Sequence, residues 1–189
     1  MNYGVKWSIY NQGKSRSFQA LIGQTFTVHD DNELSDVMGY DNHLSNYIGH
    51  LLLKFRYIVL SYRFRLNQRD LHARKNDVKL EVGSSPLRLG VNYLFQNAYR
   101  LGQQKFGEKK SVTFYGKTKL TKNFSLEGRY QYNLRRDRKG PLKSEAALRY
   151  DNECVTLDFS VSKSFTQDRN YKGDTSFNFR VYLKTLGGK

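Results

Sequence analysis

Hydrophobic and polar residues take turns along almost the whole chain, which is the pattern of half-buried β-strands and not of helices. Tyr3, Val5, Trp7 and Ile9 alternate with Gly4, Lys6 and Ser8. Phe18, Ala20, Ile22, Phe26 and Val28 alternate with Gln19, Thr25 and Thr27. Tyr47, Gly49, Leu51 and Leu53 follow, then Ile58, Leu60, Tyr62 and Phe64 against Ser61, Arg63 and Arg65. Val78, Leu80 and Val82 oppose Lys79 and Glu81, and Leu87, Leu89, Val91, Tyr93 and Phe95 oppose Arg88, Gly90 and Asn92. Val112, Phe114, Gly116 and Leu120 oppose Ser111, Lys117 and Lys119, and Phe124, Leu126, Gly128, Tyr130 and Tyr132 oppose Ser125, Glu127, Arg129 and Gln131. Leu142, Ala146, Leu148 and Tyr150 oppose Lys143, Glu145 and Arg149. Val155, Leu157, Phe159 and Val161 oppose Thr156, Asp158, Ser160 and Ser162, and Phe177, Phe179, Val181 and Leu183 oppose Asn178, Arg180 and Lys184.

The pattern predicts about eleven strands, most of nine residues or more. Strands of globular proteins cluster at ~5–6 residues, whereas a strand that crosses a bilayer needs ~9–11. The connections alternate in length without exception. Residues 11–14, 55–56, 83–86, 121–123 and 151–153 are short, and 29–46, 67–76, 96–110, 134–141 and 166–174 are longer. Tight turns at one end and longer loops at the other are the layout of an outer-membrane barrel, and a soluble sandwich has no reason to sort its loops so. The expected fold is therefore an all-β, antiparallel transmembrane barrel segment. With the short turns in the periplasm, the last strand descends from an outer loop and Asp151, Asn152, Glu153 and Cys154 lie on the periplasmic side. That is the compartment of a Gram-negative envelope that forms disulfides.

Composition fits this picture. The 189 residues carry 32 Lys and Arg against 17 Asp and Glu, a formal charge of +15. Only 38% are hydrophobic, below the ~45–50% of ordinary soluble domains. The aromatic share of 14% argues against disorder, which is aromatic-poor. Two prolines and one cysteine exclude a collagen-like repeat, a proline-rich linker and a disulfide scaffold. No apolar run reaches the ~18 residues of a membrane-spanning helix, and the first residues contain no apolar core of a secretory signal. An odd strand number is unusual for a single-chain bacterial barrel. Together with the missing signal, it suggests that the N-terminal part of a larger barrel lies outside this chain.

In hydrocarbon every backbone group must be paired, as a closed sheet achieves. The apolar face would meet lipid. The other face carries Arg63, Arg65, Lys79, Glu81, Glu127, Arg129, Glu145 and Arg149, charges suited to a watery or protein-lined lumen. Ion pairing is the expected role of Arg63 and Arg65, with a polar path for saccharide as the alternative. The run Arg135, Arg136, Asp137, Arg138, Lys139 is either a solvated outer loop or a contact for lipid phosphates and sugar carboxylates, which arginine binds bidentately. Cys154 is either a disulfide partner or a small apolar bystander. Asp30, Asp31, Glu33 and Asp36 lack the glycine and terminal glutamate spacing of a calcium loop. His29, His43, His50 and His72 match no metal spacing, so neither metal nor cofactor is expected. His50 falls on the polar face. No Ser-His-Asp set, HExxH motif, carboxylate pair or phosphate loop is present, so no catalysis is expected.

The tail is specific. Leu148-Arg149-Tyr150-Asp151-Asn152-Glu153-Cys154-Val155-Thr156-Leu157, Ser164-Phe165-Thr166, and Phe179-Arg180-Val181-Tyr182-Leu183-Lys184-Thr185-Leu186-Gly187 closely resemble the C-terminal end of the LptD family of lipopolysaccharide-assembly proteins, the alphaproteobacterial type being nearest. Ile22-Gly23-Gln24-Thr25, Ser45-Asn46-Tyr47-Ile48-Gly49, Ser61–Leu66 and Leu87–Phe95 are also similar to that family. The sharpest motif is the turn Tyr150, Asp151, Glu153, Cys154.

The resemblance implies residues 1–189 as the C-terminal part of a large outer-membrane barrel, its N-terminal periplasmic jelly roll and signal peptide absent from the chain. It implies transport of lipopolysaccharide into the outer leaflet through a seam between first and last strands. The implied partners are lipopolysaccharide, an LptE-like lipoprotein plugging the lumen, a periplasmic lipopolysaccharide-bridge protein and the barrel-insertion machinery. It also implies a disulfide from Cys154 to the periplasmic domain, although some members carry two adjacent cysteines where this chain has Glu153-Cys154. The final strand keeps its alternation and lacks the glycine usual in an assembly signal. The competing reading is a basic soluble β-protein that binds nucleic acid, suggested by an isoelectric point near 9.9 and by aromatics that stack on bases. Its charge, however, is spread over strands and loops. An outer-membrane lipase is a third reading and lacks a motif.

Overall fold

The alternation becomes thirteen strands and no helix in the computed structural model, which describes residues 2–11, 16–26, 44–101, 104–165 and 173–184. The strands are β1 Asn2–Asn11, β2 Arg16–Thr25, β3 Tyr47–Lys54, β4 Ile58–Leu66, β5 Ala73–Ser84, β6 Leu87–Gln96, β7 Tyr99–Leu101, β8 Gln104–Phe106, β9 Lys109–Lys119, β10 Phe124–Asn133, β11 Gly140–Asp151, β12 Val155–Ser164 and β13 Thr175–Leu183. Eleven form one sheet in the order β1-β2-β3-β4-β5-β6-β9-β10-β11-β12-β13, and β7 and β8 pair with each other alone. The all-β, antiparallel build expected of a barrel segment is thus the observed one. The sheet strands run from 8 to 12 residues, the length a tilted bilayer crossing needs.

Two details differ from the sequence reading. The long connection at 96–110 contains the β7–β8 hairpin, whose three-residue arms are too short to display a period of two. The connection at 67–76 is shorter than expected, because β5 begins at Ala73. There Asn76 replaces an apolar residue and accepts a hydrogen bond from the Tyr62 hydroxyl at 3.0 Å. The acidic residues 30–36, His29, His43, Val28, Thr166 and the motif residues 185–187 lie outside the described residues.

The chain divides into two compact units, Met1–Glu81 with Asn92–Ser111, and Val82–Val91 with Val112–Lys189. In the first, β1 to β4 form a meander whose register aligns Val5, Ile22, Gly49 and Phe64 in one row and Trp7, Ala20, Leu51 and Tyr62 in the next. The opposite face reads Lys6, Leu21, His50 and Arg63. The Phe64 ring lies over Gly49, and a Cβ at that glycine would overlap it. At the far end of β2 the Tyr3 hydroxyl donates to Gln24 Oε1 at 2.6 Å, Gln24 Nε2 donates to the Ser45 carbonyl at 3.1 Å, and the Thr25 N–H donates to Ser45 Oγ at 2.8 Å. This polar knot ties Tyr3, Gln24 and Thr25 to Ser45.

In the second unit, β10 to β13 align Leu126, Leu148, Phe159 and Phe179 on one face. One residue along, on the other face, Ser125, Arg149, Asp158 and Arg180 form a straight row. The β5–β6 turn needs glycine at position 83, where φ is +120° and a Cβ would strike the Leu87 carbonyl.

Burial inverts the rule for soluble domains. Among the described residues no hydrophobic side chain is buried, whereas Gln24, Ser45, Asn46, Asp77, Ser111, Ser125 and Asp158 are. Trp7 and Phe177 are 70% and 68% exposed. A soluble protein rarely shows so large a contiguous apolar surface. A sheet bathed in hydrocarbon shows it on every lipid-facing row.

Candidate functional site

The polar face gathers most of the charges singled out in the sequence, and strand register decides how they pair. Cross-strand neighbours lie about 4.5–5.5 Å apart, so opposite charges on facing residues meet. In the first unit Arg63 donates to Asp77 Oδ2 at 2.7 Å. Asp77 is 7% exposed, and its Oδ1 is a buried oxygen with no hydrogen-bond partner. His50 Nε2 lies 3.1 Å from Ser61 Oγ on the same face, and Arg65 faces Ile48 in register.

In the second unit Glu127 pairs with Lys117 of β9. Glu145 takes Arg129 at 3.7 Å and Lys143 at 2.5 Å. Arg149 grips Asp158 with two hydrogen bonds, while Arg180 faces the same aspartate from β13. A recess on this face is lined by Lys143, Glu145, Ser160, Ser162, Asn178 and Arg180, among others. The partners Asp77, Lys117 and Asp158 had one signal in the sequence, their place on the polar face. Which charge each would meet depends on register between strands, which a single chain's pattern does not state.

The Tyr150–Cys154 motif forms the turn between β11 and β12. The Tyr150 ring packs against Phe124 with centroids 4.9 Å apart. Asp151 accepts from Thr156 Oγ1 at 2.5 Å and pairs with Lys184 Nζ at 2.6 Å. Lys184 Nζ also donates to the Asn152 carbonyl at 2.7 Å, and its backbone N–H to the Cys154 carbonyl at 2.9 Å. Glu153 is exposed and donates its N–H to Asn152 Oδ1 at 2.7 Å. Cys154 is an exposed free thiol. The turn therefore holds the end of β13 and presents a thiol outward, a role for Lys184 that the sequence did not single out.

At the other end of the same strands lies the basic run. Arg135 is spent locally. It donates to both carboxylate oxygens of Asp137, at 3.0 and 2.5 Å, and its N–H donates to Asn133 Oδ1 at 3.1 Å. Arg136, Arg138 and Lys139 are exposed. In the first unit, in the connection at 67–72, the Asp70 carboxyl is held below its ordinary value of 3.8, chiefly by the His72 backbone N–H that donates to it. Among the described residues no group of three or more His, Cys, Asp or Glu side chains is placed to hold a metal.

This geometry can hold a hydrated or polar occupant against one face and lipid against the other. In comparison with known proteins, the family model described as LptD, LPS transport system D, matches residues 1–124. No curated protein matches the chain.

Proposed function

The chain belongs to the LptD family of lipopolysaccharide transport and assembly proteins of the outer membrane, and from that premise we propose that it is the C-terminal part of the barrel of a lipopolysaccharide translocon. The observation that carries the reading is the inverted burial. Apolar rows such as Leu126-Leu148-Phe159-Phe179 stand exposed while Asp77, Ser125 and Asp158 are enclosed. In this reading Arg63, Arg65, Glu127, Arg129, Glu145 and Arg149 face a lumen filled by an LptE-like lipoprotein and passing saccharide. The pairing of these charges within the sheet suits a packed lumen and argues against a nucleic-acid surface, which needs unpaired cations to displace counterions.

Cys154 stands at the periplasmic end and bonds a thiol of an N-terminal periplasmic domain, the domain that receives lipopolysaccharide from the bridge protein. β13, the last strand in the sheet order among the described residues, is the strand offered to the insertion machinery and to the seam. Within the Arg135–Lys139 run, Arg136, Arg138 and Lys139 are the outer-loop contact for lipopolysaccharide, and Arg135 shapes the loop through Asp137. The test is fractionation and export in the native host. The protein should sediment with the outer membrane, require detergent for release, and support appearance of lipopolysaccharide at the cell surface only when β13 is intact. Recovery in the soluble fraction without detergent would overturn the reading.

A further inference from the structure

On the polar face, charge ties each strand of the second unit to the next until the last pair is reached. Lys117 joins β9 to β10 through Glu127, Arg129 joins β10 to β11 through Glu145, and Arg149 joins β11 to β12 through Asp158. The row that begins with Arg129 and Glu145 continues across β12 and β13 as Ser162 and Ser176. The next row pairs Ser160 with Asn178. Among the described residues, none of these four side chains makes a hydrogen bond or ion pair across the two strands. A recess of about 490 Å³ opens over Ser160, Ser162 and Asn178, with Lys143, Glu145 and Arg180 at its sides.

The other end of β13 is built differently. Arg180 faces Asp158 in register. Beyond it, Lys184 Nζ bonds Asp151 Oδ1 at 2.6 Å and the Asn152 carbonyl at 2.7 Å, and the Lys184 N–H donates to the Cys154 carbonyl at 2.9 Å. Asp151 is itself moored to the preceding turn. The Asn123 side-chain amide donates to its carbonyl at 2.9 Å, and its N–H donates to the Asn123 carbonyl at 2.8 Å. One end of β13 is therefore pinned through two successive turns. The other is held to β12 by the backbone ladder and by the facing apolar pairs Val161–Phe177 and Phe159–Phe179.

We infer that β13 is a hinged strand, anchored at Lys184, that parts from β12 at its loop end over Thr175–Phe179. A strand joined by a hairpin ordinarily loosens first at the end away from the connection, because the connection keeps the other ends close. The placement of the ties reverses that order here. Parting a ladder breaks its backbone bonds and whatever side-chain ties cross it, and across Ser162–Ser176 and Ser160–Asn178 no such tie is present. Freed N–H and C=O groups in a bilayer need another partner, and backbone that borders a watery cavity can find one. The recess supplies that access from the polar face. The hinge rests on the β12–β13 pairing alone. Its use, to let the outer-leaflet end of β13 move while the periplasmic end stays fixed, rests on the reading above.

The Lys184 N–H donates to Cys154, and the Asp174 carbonyl accepts from Ser164. Alternation along the strand therefore aims the amides of Ser176, Asn178, Arg180 and Tyr182 at β12. The experiment measures exchange at these amides, resolved by residue and corrected for intrinsic rates, with the whole protein in phosphatidylcholine nanodiscs. Ser176 and Asn178 should exchange at least tenfold faster than Arg180 and Tyr182. K184M should raise exchange at Arg180 and Tyr182 at least tenfold, and K184R, which keeps a charged donor, should not. S162K/S176E, which supplies the missing tie, should slow Asn178 at least fivefold. Equal exchange along wild-type β13, faster exchange at Tyr182, no effect of K184M, or an unchanged Asn178 in S162K/S176E would each overturn the hinge. Should K184M also quicken Glu145 of β11, and so loosen the whole sheet, the wild-type comparison and S162K/S176E decide. If the protein enters no bilayer, the membrane reading falls, and the same comparison in detergent micelles still decides the hinge.

Discussion

Arg149 and Asp158 face each other in register across β11 and β12, with Nε on Oδ1 at 2.6 Å and the second guanidinium nitrogen on Oδ2 at 3.0 Å. The aspartate is 6% exposed, so its charge depends on that partner. Replacing Arg149 with Leu leaves an enclosed carboxylate without its strongest donors, and is expected to cost roughly 1.5–3 kcal/mol, the worth of hydrogen bonds to a charged group. R149L/D158L should be less damaged than the sum of the single variants. Urea midpoints of the protein refolded into vesicles measure the cycle, and simple additivity would show that the pair is uncoupled.

The two faces of one strand should respond oppositely to charge. Phe159 and Ser160 are sequence neighbours on β12, one in the apolar row and one on the polar face. Phe159→Lys should destabilise by about 2–4 kcal/mol, as a cation does on the lipid face near mid-bilayer. Ser160→Lys should leave the refolding midpoint nearly unchanged. Equal effects would mean that the apolar face does not meet hydrocarbon.

Gly49 and Phe64 form a glycine–aromatic pair across β3 and β4, the ring occupying the space of the absent side chain. Gly49→Ala should cost about 1–3 kcal/mol by overpacking. Adding Phe64→Ala should recover part of that loss. If the double variant is worse than the sum of the singles, the ring does not sit where the alanine methyl would go.

Asp70 links the 67–72 connection to pH. Its folded value lies below 3.8, chiefly because the His72 N–H donates to the carboxylate, with Asn67 and the His72 ring assisting. A depressed folded value stabilises the fold above the unfolded value, and that contribution is lost as pH falls through the folded one. Corrected for the intrinsic pH dependence of exchange, amide protection in residues 67–72 should therefore fall below about pH 4 in wild type. In D70N the corrected protection should be low and nearly flat over that range. Identical profiles in the two proteins would refute the assignment.

In a protein that carries the proposed N-terminal periplasmic domain, Cys154→Ser should abolish the mobility shift between reducing and non-reducing gels and slow accumulation of mature protein. A shift that survives would assign the bridge to another thiol. Lys184→Met, which frees the end of β13 from the turn carrying Cys154, should slow the same oxidation severalfold without abolishing it.

The strands were legible because a membrane strand must alternate for its whole length, and β10, β11 and β12 do so almost without interruption. Where a residue broke the rule, as Asn76 does by bonding Tyr62, the strand start was misplaced. The β7–β8 hairpin was missed because three residues carry no readable period. The polar face was legible as a set of charges, but its partners were not. That Arg149 meets Asp158, and Glu127 meets Lys117, is fixed by register and turn geometry. The use of Lys184 to fasten the Asp151 turn likewise depends on β13 ending beside it, a relation over thirty-two residues of sequence.

Spatial order in the main sheet follows chain order, interrupted only by the small β7–β8 excursion. Each strand finds its mate next door, so width can change by inserting or excising a whole hairpin without rethreading any other segment. A lineage that needs a broader or narrower wall can reach it by copying two ribbons and a turn. Growth during insertion can proceed by the same increments, every new ribbon docking on the one just laid down.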